Sequence, residues 1–320
     1  MKSLNRSETA AFLAANDGFV ILTHRRPDGD TLGSAAALCR GLRQLGKEAY
    51  ILENPEITPK YDHLHAGLTK EKVEQRDILV AVDTASKGML PAAFAHLADS
   101  IPLRIDHHGS AESFTDMELV EPGAAACGEI VYGVLTQMGA KLDEQMADAL
   151  YTAISTDTGC FRYANTTENT FRVAADCAAV SKNIFAINQR LFDTNSLGRL
   201  RLQGYMVENA MFLQEGKAVI CPLPKTVEEQ LGLTEDDLEN ISGFPRSIEG
   251  VKIAATIREE GQDKVKISVR AVPGYDAAAI CARFGGGGHK GAAGASMTCS
   301  MDEAVEAIKK VMQKIQKIDN

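Results

Sequence analysis

Short apolar runs alternate with helical patterns through the first half of the chain, and this alternation restricts the fold more than any other feature. The runs at residues 19–23, 78–82 and 103–105 have the composition of buried strands, and helical spacing follows at 32–45, 125–138 and 144–155. Strands separated by helices are typical of βαβ units, which build a parallel sheet covered on its faces. The first half is therefore predicted to be an α/β domain with a doubly wound, mainly parallel sheet.

The pattern changes in the second half of the chain. Strand-like runs at 217–221, 251–257 and 265–269 precede a glycine-rich turn and an amphipathic helix that starts near Met301. This composition is typical of a smaller α+β domain. We expect a large domain over residues 1–190, a helical connector over 191–214 and the smaller domain over 215–320.

Charge and composition exclude several classes of protein. The 320 residues include 34 Lys and Arg against 43 Asp and Glu, a net charge of −9, so a broad basic track for long nucleic acid is not expected. Seven cysteines without a C-x-x-C pair do not support a zinc knuckle or a disulfide framework. No apolar run approaches the roughly 18 residues of a membrane span, and the N-terminus lacks the apolar core of a signal peptide. A cytoplasmic location is expected.

Acidic and histidine residues follow the predicted strands at the points where the strands end. The four segments are His24-Arg25-Arg26-Pro27-Asp28-Gly29-Asp30, Asp83-Thr84, Asp106-His107-His108 and, at the end of a predicted helix, Thr156-Asp157-Thr158-Gly159. Ligands of open α/β sheets bind at the carboxyl ends of the strands, so these segments are predicted to share one crevice.

So many carboxylates in one crevice require a cation, because like charges raise one another's pKa. Aspartate oxygen and histidine nitrogen without thiolate suit Mn²⁺ or Mg²⁺, and the number of side chains suits a pair of ions. Each segment alone also has an ordinary explanation, since Pro-Asp-Gly-Asp forms turns and N-caps and an aspartate can end a helix. The combination of all four favours a metal centre.

These motifs, in this order, resemble those of the DHH phosphoesterases. The matching segments are HRRPDGD at 24–30, VDT at 82–84, DHH at 106–108 and STDTGCFRYANTT at 155–167; GGGGHKGAAG at 285–294 resembles the DHHA1 substrate domain of that family. The resemblance extends over nearly the whole chain and is greatest to the oligoribonuclease/pAp-phosphatase branch. One departure lies at 109–112, where the chain reads Gly-Ser-Ala-Glu and family members often carry asparagine.

The resemblance implies a role for each residue of the crevice. His24, Asp28 and Asp83 would hold one divalent ion. Asp30, Asp83, His107 and Asp157 would hold the other, with Asp83 as the bridge and a water activated between the ions as the nucleophile. Mn²⁺ is the expected ion, with Mg²⁺ or Co²⁺ as alternatives. His108 is expected to stabilise the substrate phosphate or transfer a proton, and Asp106 to orient the two histidines.

The resemblance also implies substrate-binding residues in the smaller domain. They are Arg258, Ser268, Arg270, Gly287, Gly288 and His289, which would hold the terminal nucleotide and its phosphate. Strand alternation independently places Ser268 and Arg270 on one sheet face. The glycine run could instead be a flexible or closely packed turn, and Arg258 could be an exposed residue without a partner. Arg25, Arg26 and Arg104 are expected to be solvated surface residues.

The expected function is metal-dependent hydrolysis of very short oligoribonucleotides to mononucleotides, together with removal of the 3′-phosphate of adenosine 3′,5′-bisphosphate (pAp). One alternative is a soluble phosphodiesterase of cyclic di-AMP or linear pApA. A second is a nucleotide-binding module without catalysis. Short oligonucleotides and nucleoside bisphosphates are the expected partners, neither long nucleic acid nor a membrane is, and a homodimer is a possible assembly.

Overall fold

The computed structural model describes residues 2–109, 112–261 and 263–314. These ranges leave out residue 1 and residues 315–320, which are the outer ends of the two predicted domains. They also leave out Ser110 and Ala111, in the segment 109–112 where the chain departs from the family pattern. The chain divides into two compact units between Thr194 and Asn195. The proposed bounds at 190 and 214 stay a prediction.

The first unit is built on a seven-stranded sheet in which every described pairing is parallel. The strands are β1 (Lys2–Ser3), β2 (Phe19–Leu22), β3 (Ala49–Leu52), β4 (Thr69–Lys70), β5 (Ile78–Val82), β6 (Leu103–Asp106) and β7 (Met117–Val120), in the order β1-β7-β6-β5-β2-β3-β4. The order reverses on the two sides of β2, as in a doubly wound sheet.

Both faces of this sheet are covered. The helices of the unit are α1 (Arg6–Ala15), α2 (Gly29–Gln44), α3 (Asp62–His65), α4 (Cys127–Gln137), α5 (Glu144–Asp157), α6 (Glu168–Val180) and α7 (Ile184–Asn188), followed by a π-helical turn (Gln189–Asp193). Alternate strand residues such as Ile21 and Val80 pack into the larger core with α2, α4 and α5. Their neighbours pack against Leu90, which follows the 3₁₀ segment Lys87–Met89, and against Phe94 of the 3₁₀ segment Ala92–Ser100.

Glycine allows α2 to approach α5 closely. A Cβ on Gly33 would lie 2.3 Å from the carbonyl oxygen of Ala149, and one on Gly29 would lie 2.5 Å from the side chain of Thr156. Side chains of ordinary size would hold the two helices apart. The close approach brings the N-terminus of α2 to the C-terminus of α5, and polar motifs lie at both.

The second unit contains a six-stranded mixed sheet. Its strands are β8 (Met211–Leu213), β9 (Ala218–Leu223), β10 (Ile253–Gly261), β11 (Lys264–Ala271), β12 (Gly287–Gly288) and β13 (Ala292–Thr298), in the order β12-β13-β11-β10-β9-β8. Of the described pairings, β9 with β10 is parallel and the others are antiparallel.

Helices cover one face of this sheet fully and the other only in part. The helices are α8 (Leu197–Glu208), α9 (Lys225–Leu231), α10 (Glu235–Leu238), α11 (Ala277–Ala282) and α12 (Met301–Met312). One core joins the sheet to α11 and α12. The second core lies over β9 and β10 and includes Leu202 and Met206 of α8, so residues 197–208 pack within the second unit.

The predicted fold class is confirmed in both units. The strands expected at 78–82 and 103–105 and the helices expected at 125–138 and 144–155 are observed within two residues of those positions. The sequence pattern missed β3 and β7, which are as long as the predicted strands β2 and β6. The second sheet face of the first unit carries 3₁₀ segments where a doubly wound fold usually has α-helices. Within the described residues, no helix is both long and apolar enough to cross a membrane.

Candidate metal centre and substrate-binding residues

The four sequence segments meet at the carboxyl edge of the parallel sheet. Among the described residues, three groups of three side chains have potential ligand atoms that lie within 4.8 Å of one another. The groups are His24, Asp28 and Asp83; Asp30, His107 and Asp157; and Asp83, His107 and His108. All six predicted ligands and His108 therefore lie together, and Asp83 belongs to two of the groups.

The ligand atoms are spaced as they would be around a cation. Nε2 of His24 lies 3.6 Å from Asp28 Oδ1 and 3.5 Å from Asp83 Oδ2. Nε2 of His107 lies 3.5 Å from Asp83 Oδ1 and 3.7 Å from Asp157 Oδ2. These distances are too long for good hydrogen bonds. Two ligands that each bind an ion at 2.0–2.1 Å are separated by about 3.0–3.4 Å. The separations here are slightly longer, so the side chains leave room for an ion between them.

Backbone carbonyls orient both histidine rings toward the cluster. Nδ1 of His24 lies 2.8 Å from the oxygen of Arg25, and Nδ1 of His107 lies 3.2 Å from the oxygen of Ala124. A histidine whose Nδ1–H donates to a carbonyl presents a neutral Nε2, the form that binds metals.

Asp83 occupies a strained position at the centre of the cluster. Its φ angle is +53°, in the left-handed region that residues other than glycine rarely adopt, and its N–H donates to the carbonyl of Ile105 on β6. Its Oδ1 atom is buried with no hydrogen-bond partner among the described residues. A buried, unpartnered carboxylate oxygen is costly unless a ligand satisfies it, which supports a cation here.

Asp30 is held by the start of α4. Its Oδ2 accepts the N–H of Cys127 at 2.7 Å, and its Oδ1 accepts the N–H of Gly128 at 3.0 Å and the hydroxyl of Ser34. Asp28 caps α2 by accepting the N–H groups of Asp30 and Thr31. The N-cap explanation of the Pro-Asp-Gly-Asp segment is thus correct for Asp28, which both caps α2 and belongs to the cluster.

Protons balance the charge of the cluster when no cation is bound. Burial lowers the pKa of His107, but attraction to Asp83 and Asp157 outweighs burial and raises it to about 11. Burial and repulsion from Asp83 raise the pKa of Asp157 to about 7. Burial also raises the pKa of Asp28, but the interactions with His24 and with the N–H groups of Thr31 and Asp30 together lower it to about 2. The cluster therefore attracts positive charge, and divalent ions would replace the protons.

Asp106 lies behind His108. Its Oδ1 atom lies 2.8 Å from Nδ1 of His108 and accepts the backbone N–H groups of His107 and His108. Nδ1 of His108 is thereby occupied, and Nε2 is the ring nitrogen that can act on a substrate. The resemblance implies that Asp106 orients the two histidines, and these contacts support that role.

One arginine near the cluster was predicted wrongly. Arg25 and Arg26 are exposed as expected, but Arg104 is 1% exposed in β6. The expectation of a solvated surface residue failed because β6 is an interior strand whose residues are buried on both faces.

In the second unit, the predicted residues of β11 lie on one sheet face. Ser268 and Arg270 alternate with the buried residues of the strand and are partly exposed. Gly287 of β12 pairs with Gly294 of β13, and Gly294 pairs with Ser268 of β11. The glycine-rich segment therefore lies two strands away from Ser268 in the same sheet. A Cβ on Gly288 would lie 2.6 Å from the oxygen of Ala292, which agrees with a closely packed turn.

Arg258 has a carboxylate partner that the sequence did not reveal. Its guanidinium binds Glu228 of α9 through two hydrogen bonds of 2.6 and 3.0 Å, and Glu235 lies 3.5 Å away. The alternative of an exposed arginine without a partner is therefore wrong. Arg258 lies opposite Lys266, on the face of the sheet that carries Ser268, while His289 is exposed beside the turn.

Known proteins with similar sequences and folds agree with this site. Residues 18–154 match the model of the DHH family, N-terminal domain, and residues 217–316 match the DHHA1 domain. The bifunctional oligoribonuclease and PAP phosphatase NrnA of Thermus thermophilus is 32% identical over 93% of this chain and 90% of its own length. Its Bacillus subtilis counterpart is 25% identical over 93% of this chain and 95% of its own length.

Solved structures support the fold. An exopolyphosphatase-related protein from Bacteroides fragilis superposes with a TM-score of 0.83 at 23% identity, covering 97% of this chain and 96% of its own. RecJ of Thermus thermophilus in complex with Mn²⁺ gives a TM-score of 0.57 at 14% identity, covering 98% of this chain and 55% of its own. The chain belongs to the DHH family of phosphoesterases, and it is a phosphohydrolase of the metal-dependent kind.

Proposed function

We propose that this phosphohydrolase degrades very short oligoribonucleotides, from dinucleotides to pentanucleotides, to mononucleotides and removes the 3′-phosphate of pAp. The observation that carries the proposal is the seven-residue cluster centred on Asp83, joined in one chain to a DHHA1 domain. Relatives named for these two activities match over most of the chain. In both reactions a water oxygen bonds to phosphorus and a P–O bond breaks.

Two divalent ions, Mn²⁺ in our proposal, would be held by the cluster. His24, Asp28 and Asp83 would bind one ion, and Asp30, Asp83, His107 and Asp157 the other, with Asp83 shared. When bound, such a pair lowers the pKa of a water and offsets the negative charge that develops on a phosphoryl group. The imidazole orientation and the unpartnered Asp83 oxygen described above support this division.

His108 would serve the substrate and not the ions. With Nδ1 engaged by Asp106, its Nε2 would donate a hydrogen bond to a phosphate oxygen or a proton to the leaving oxygen. When the proton is transferred, the leaving group departs as a neutral hydroxyl. Asp106 keeps the ring in the orientation that this requires.

Residues of the second unit would select the substrate. Ser268, Arg270 and His289, with the backbone of Gly287 and Gly288, would bind the phosphate and the sugar of a terminal nucleotide. The net charge of −9 offers long strands no extended basic surface, which favours a short substrate. Arg258, which is held by its hydrogen bonds to Glu228, would also contribute to substrate binding. A homodimeric state and a cytoplasmic location stay predictions.

A cyclic-di-AMP or pApA phosphodiesterase is the second candidate. The relative that favours it is the cyclic-di-AMP phosphodiesterase GdpP of Geobacillus thermodenitrificans, 26% identical over 87% of this chain but only 44% of its own length. The shared segment does not distinguish linear from cyclic substrates, because both present a phosphodiester to the same cluster.

The test is a panel of substrates with Mn²⁺ and purified protein. The panel contains pApA, RNA of two to five nucleotides, a long single-stranded RNA, pAp, cyclic di-AMP and pyrophosphate. We expect hydrolysis of the short RNAs and pAp with little action on the long RNA. Faster hydrolysis of cyclic di-AMP than of short RNA would support the second candidate, and tight nucleotide binding without any turnover would contradict both.

A further inference from the structure

Arg104 carries a buried positive charge and belongs to neither the proposed metal ligands nor the proposed substrate-binding residues. Its side chain is 1% exposed in the interior strand β6. On one side, Nη2 lies 3.1 Å from Glu118 Oε2, and the guanidinium carbon lies 5.2 Å from the centre of the Phe114 ring. A charge costs free energy to bury, and apolar residues of similar volume often serve stability as well or better. Stability alone is therefore a weak reason for an arginine here.

On its other side, Arg104 contacts the backbone that follows Asp83. Nη1 lies 3.3 Å from the oxygen of Thr84 and 3.2 Å from that of Ala85. It also lies 3.1 Å from the oxygen of Glu112, in the segment that follows the two adjacent histidines. One guanidinium thus links the two loops from which the central residues of the cluster arise.

The same nitrogen faces the residue that orients His108. Nη1 lies 3.6 Å from Oδ2 of Asp106, an oxygen that is buried with no hydrogen-bond partner among the described residues. The other oxygen of Asp106 holds Nδ1 of His108 at 2.8 Å. The positive charge of Arg104 therefore stabilises the carboxylate that fixes the histidine ring.

We propose that Arg104 is a positioning residue for phosphoester hydrolysis, which sets the ring of His108 through Asp106 and the backbone after Asp83 through its carbonyls. Arg104 touches neither the substrate nor the ions. The proposal rests on the proposed metal centre and on the phosphoesterase activity of the family, and it does not depend on which nucleotide is the natural substrate.

The test compares Arg104→Met with a matched control, Arg43→Met. Arg43 also donates to backbone carbonyls of two segments, those of Ala49 and Gly67, but lies at the far end of α2. Steady-state hydrolysis of bis(4-nitrophenyl) phosphate with Mn²⁺ is measured for both. We expect Arg104→Met to lower kcat roughly 10–100-fold with KM changed little, and the control to retain wild-type kcat.

A double-mutant cycle separates positioning from general destabilisation. If Arg104 acts through His108, the loss caused by Arg104→Met becomes several-fold smaller in a His108→Gln background. A second readout needs neither metal nor activity: in ¹⁵N-histidine-labelled protein, the imidazole signals of His108 should shift in Arg104→Met and stay unchanged in the control. Should the methionine variant fail to fold, Arg104→Lys, which keeps the charge but loses the fork, takes its place.

The outcomes are distinct. A folded variant with wild-type kcat, unchanged His108 signals, or losses that simply multiply in the double variant would overturn the proposal. If the wild type hydrolyses bis(4-nitrophenyl) phosphate but none of the nucleotides, the proposed function fails while the Arg104 test proceeds unchanged. If the wild type hydrolyses nothing, the signals of His108 still decide whether Arg104 positions that ring.

Discussion

Oδ1 of Asp83, the residue that follows β5, lies 3.5 Å from Nε2 of His107, the residue that follows β6. The separation exceeds that of a good hydrogen bond, and the buried oxygen has no hydrogen-bond partner among the described residues. We take this gap as the place where the central ligand of the cluster would meet its ions.

Replacing Asp157 by asparagine should abolish hydrolysis while the protein remains folded. The change removes the negative charge of one carboxylate of the cluster, at the C-terminus of α5. Because partners outside the first coordination sphere already contribute about 10–100-fold, we expect a loss greater than 100-fold in kcat. Asp143→Asn is the matched control, since Asp143 is the N-cap of the same helix and asparagine caps equally well. Equal activity of both variants would remove Asp157 from the metal site.

Mn²⁺ should stabilise the first unit against heat. An ion that binds only the folded state stabilises it by RT ln(1 + [L]/Kd), about 2.7 kcal/mol at one hundred times Kd. Differential scanning calorimetry with Mn²⁺ and with a chelator measures the shift in Tm. We expect a clear rise for the wild type and for Asp143→Asn and a smaller one for Asp157→Asn. A Tm that does not respond to Mn²⁺ would argue against a resident ion.

Gly33→Ala should weaken both the fold and the metal centre. The new Cβ would lie 2.3 Å from the oxygen of Ala149, so α2 and α5 must separate, at a cost of about 1–3 kcal/mol. Because these helices carry Asp30 and Asp157, Mn²⁺ affinity should fall as well. Gly204→Ala in α8 is the control: nothing lies within 4 Å of its added Cβ, and stability should rise by roughly 0.5–1 kcal/mol. Calorimetry and Mn²⁺ titration measure both variants.

Arg258 and Arg270 should differ in what their loss does to the second unit. Arg258→Met leaves Glu228 buried without its bidentate partner, which should destabilise the unit by about 3 kcal/mol, the low end for a buried pair. Arg270→Met should raise KM for pApA with a smaller effect on unfolding. Denaturant titration and steady-state kinetics measure the two effects. A normal KM in Arg270→Met would exclude it from substrate binding.

The sequence allowed much of the first unit and its site to be predicted, because parallel sheets collect the ends of their strands at one edge. His24, Asp83 and His107 follow consecutive apolar runs, and that pattern alone brings them together. Asp157 joins them because glycines let α5 approach α2, a contact that helical periodicity does not reveal. The N–H donors to Asp30 likewise depend on where α4 begins.

The contacts that sequence analysis missed join residues that are distant along the chain. Glu228 and Arg258 are 30 positions apart, and their pairing depends on how α9 packs on β10. Arg104 contacts segments around Thr84 and Glu118, which no local pattern connects. One signal was available: a charged residue in a strand predicted to lie inside a parallel sheet must be paired, since both of its faces are covered.

The most direct test of the central claim is to count the Mn²⁺ ions per chain by isothermal titration calorimetry and to follow pApA hydrolysis in the same preparations. The wild type should bind two ions and produce mononucleotides, whereas Asp83→Asn should lose tight binding of both ions and all turnover, because Asp83 would be shared between them. If Asp83→Asn binds two ions as tightly as the wild type and hydrolyses pApA at a similar rate, the proposed two-metal centre is contradicted.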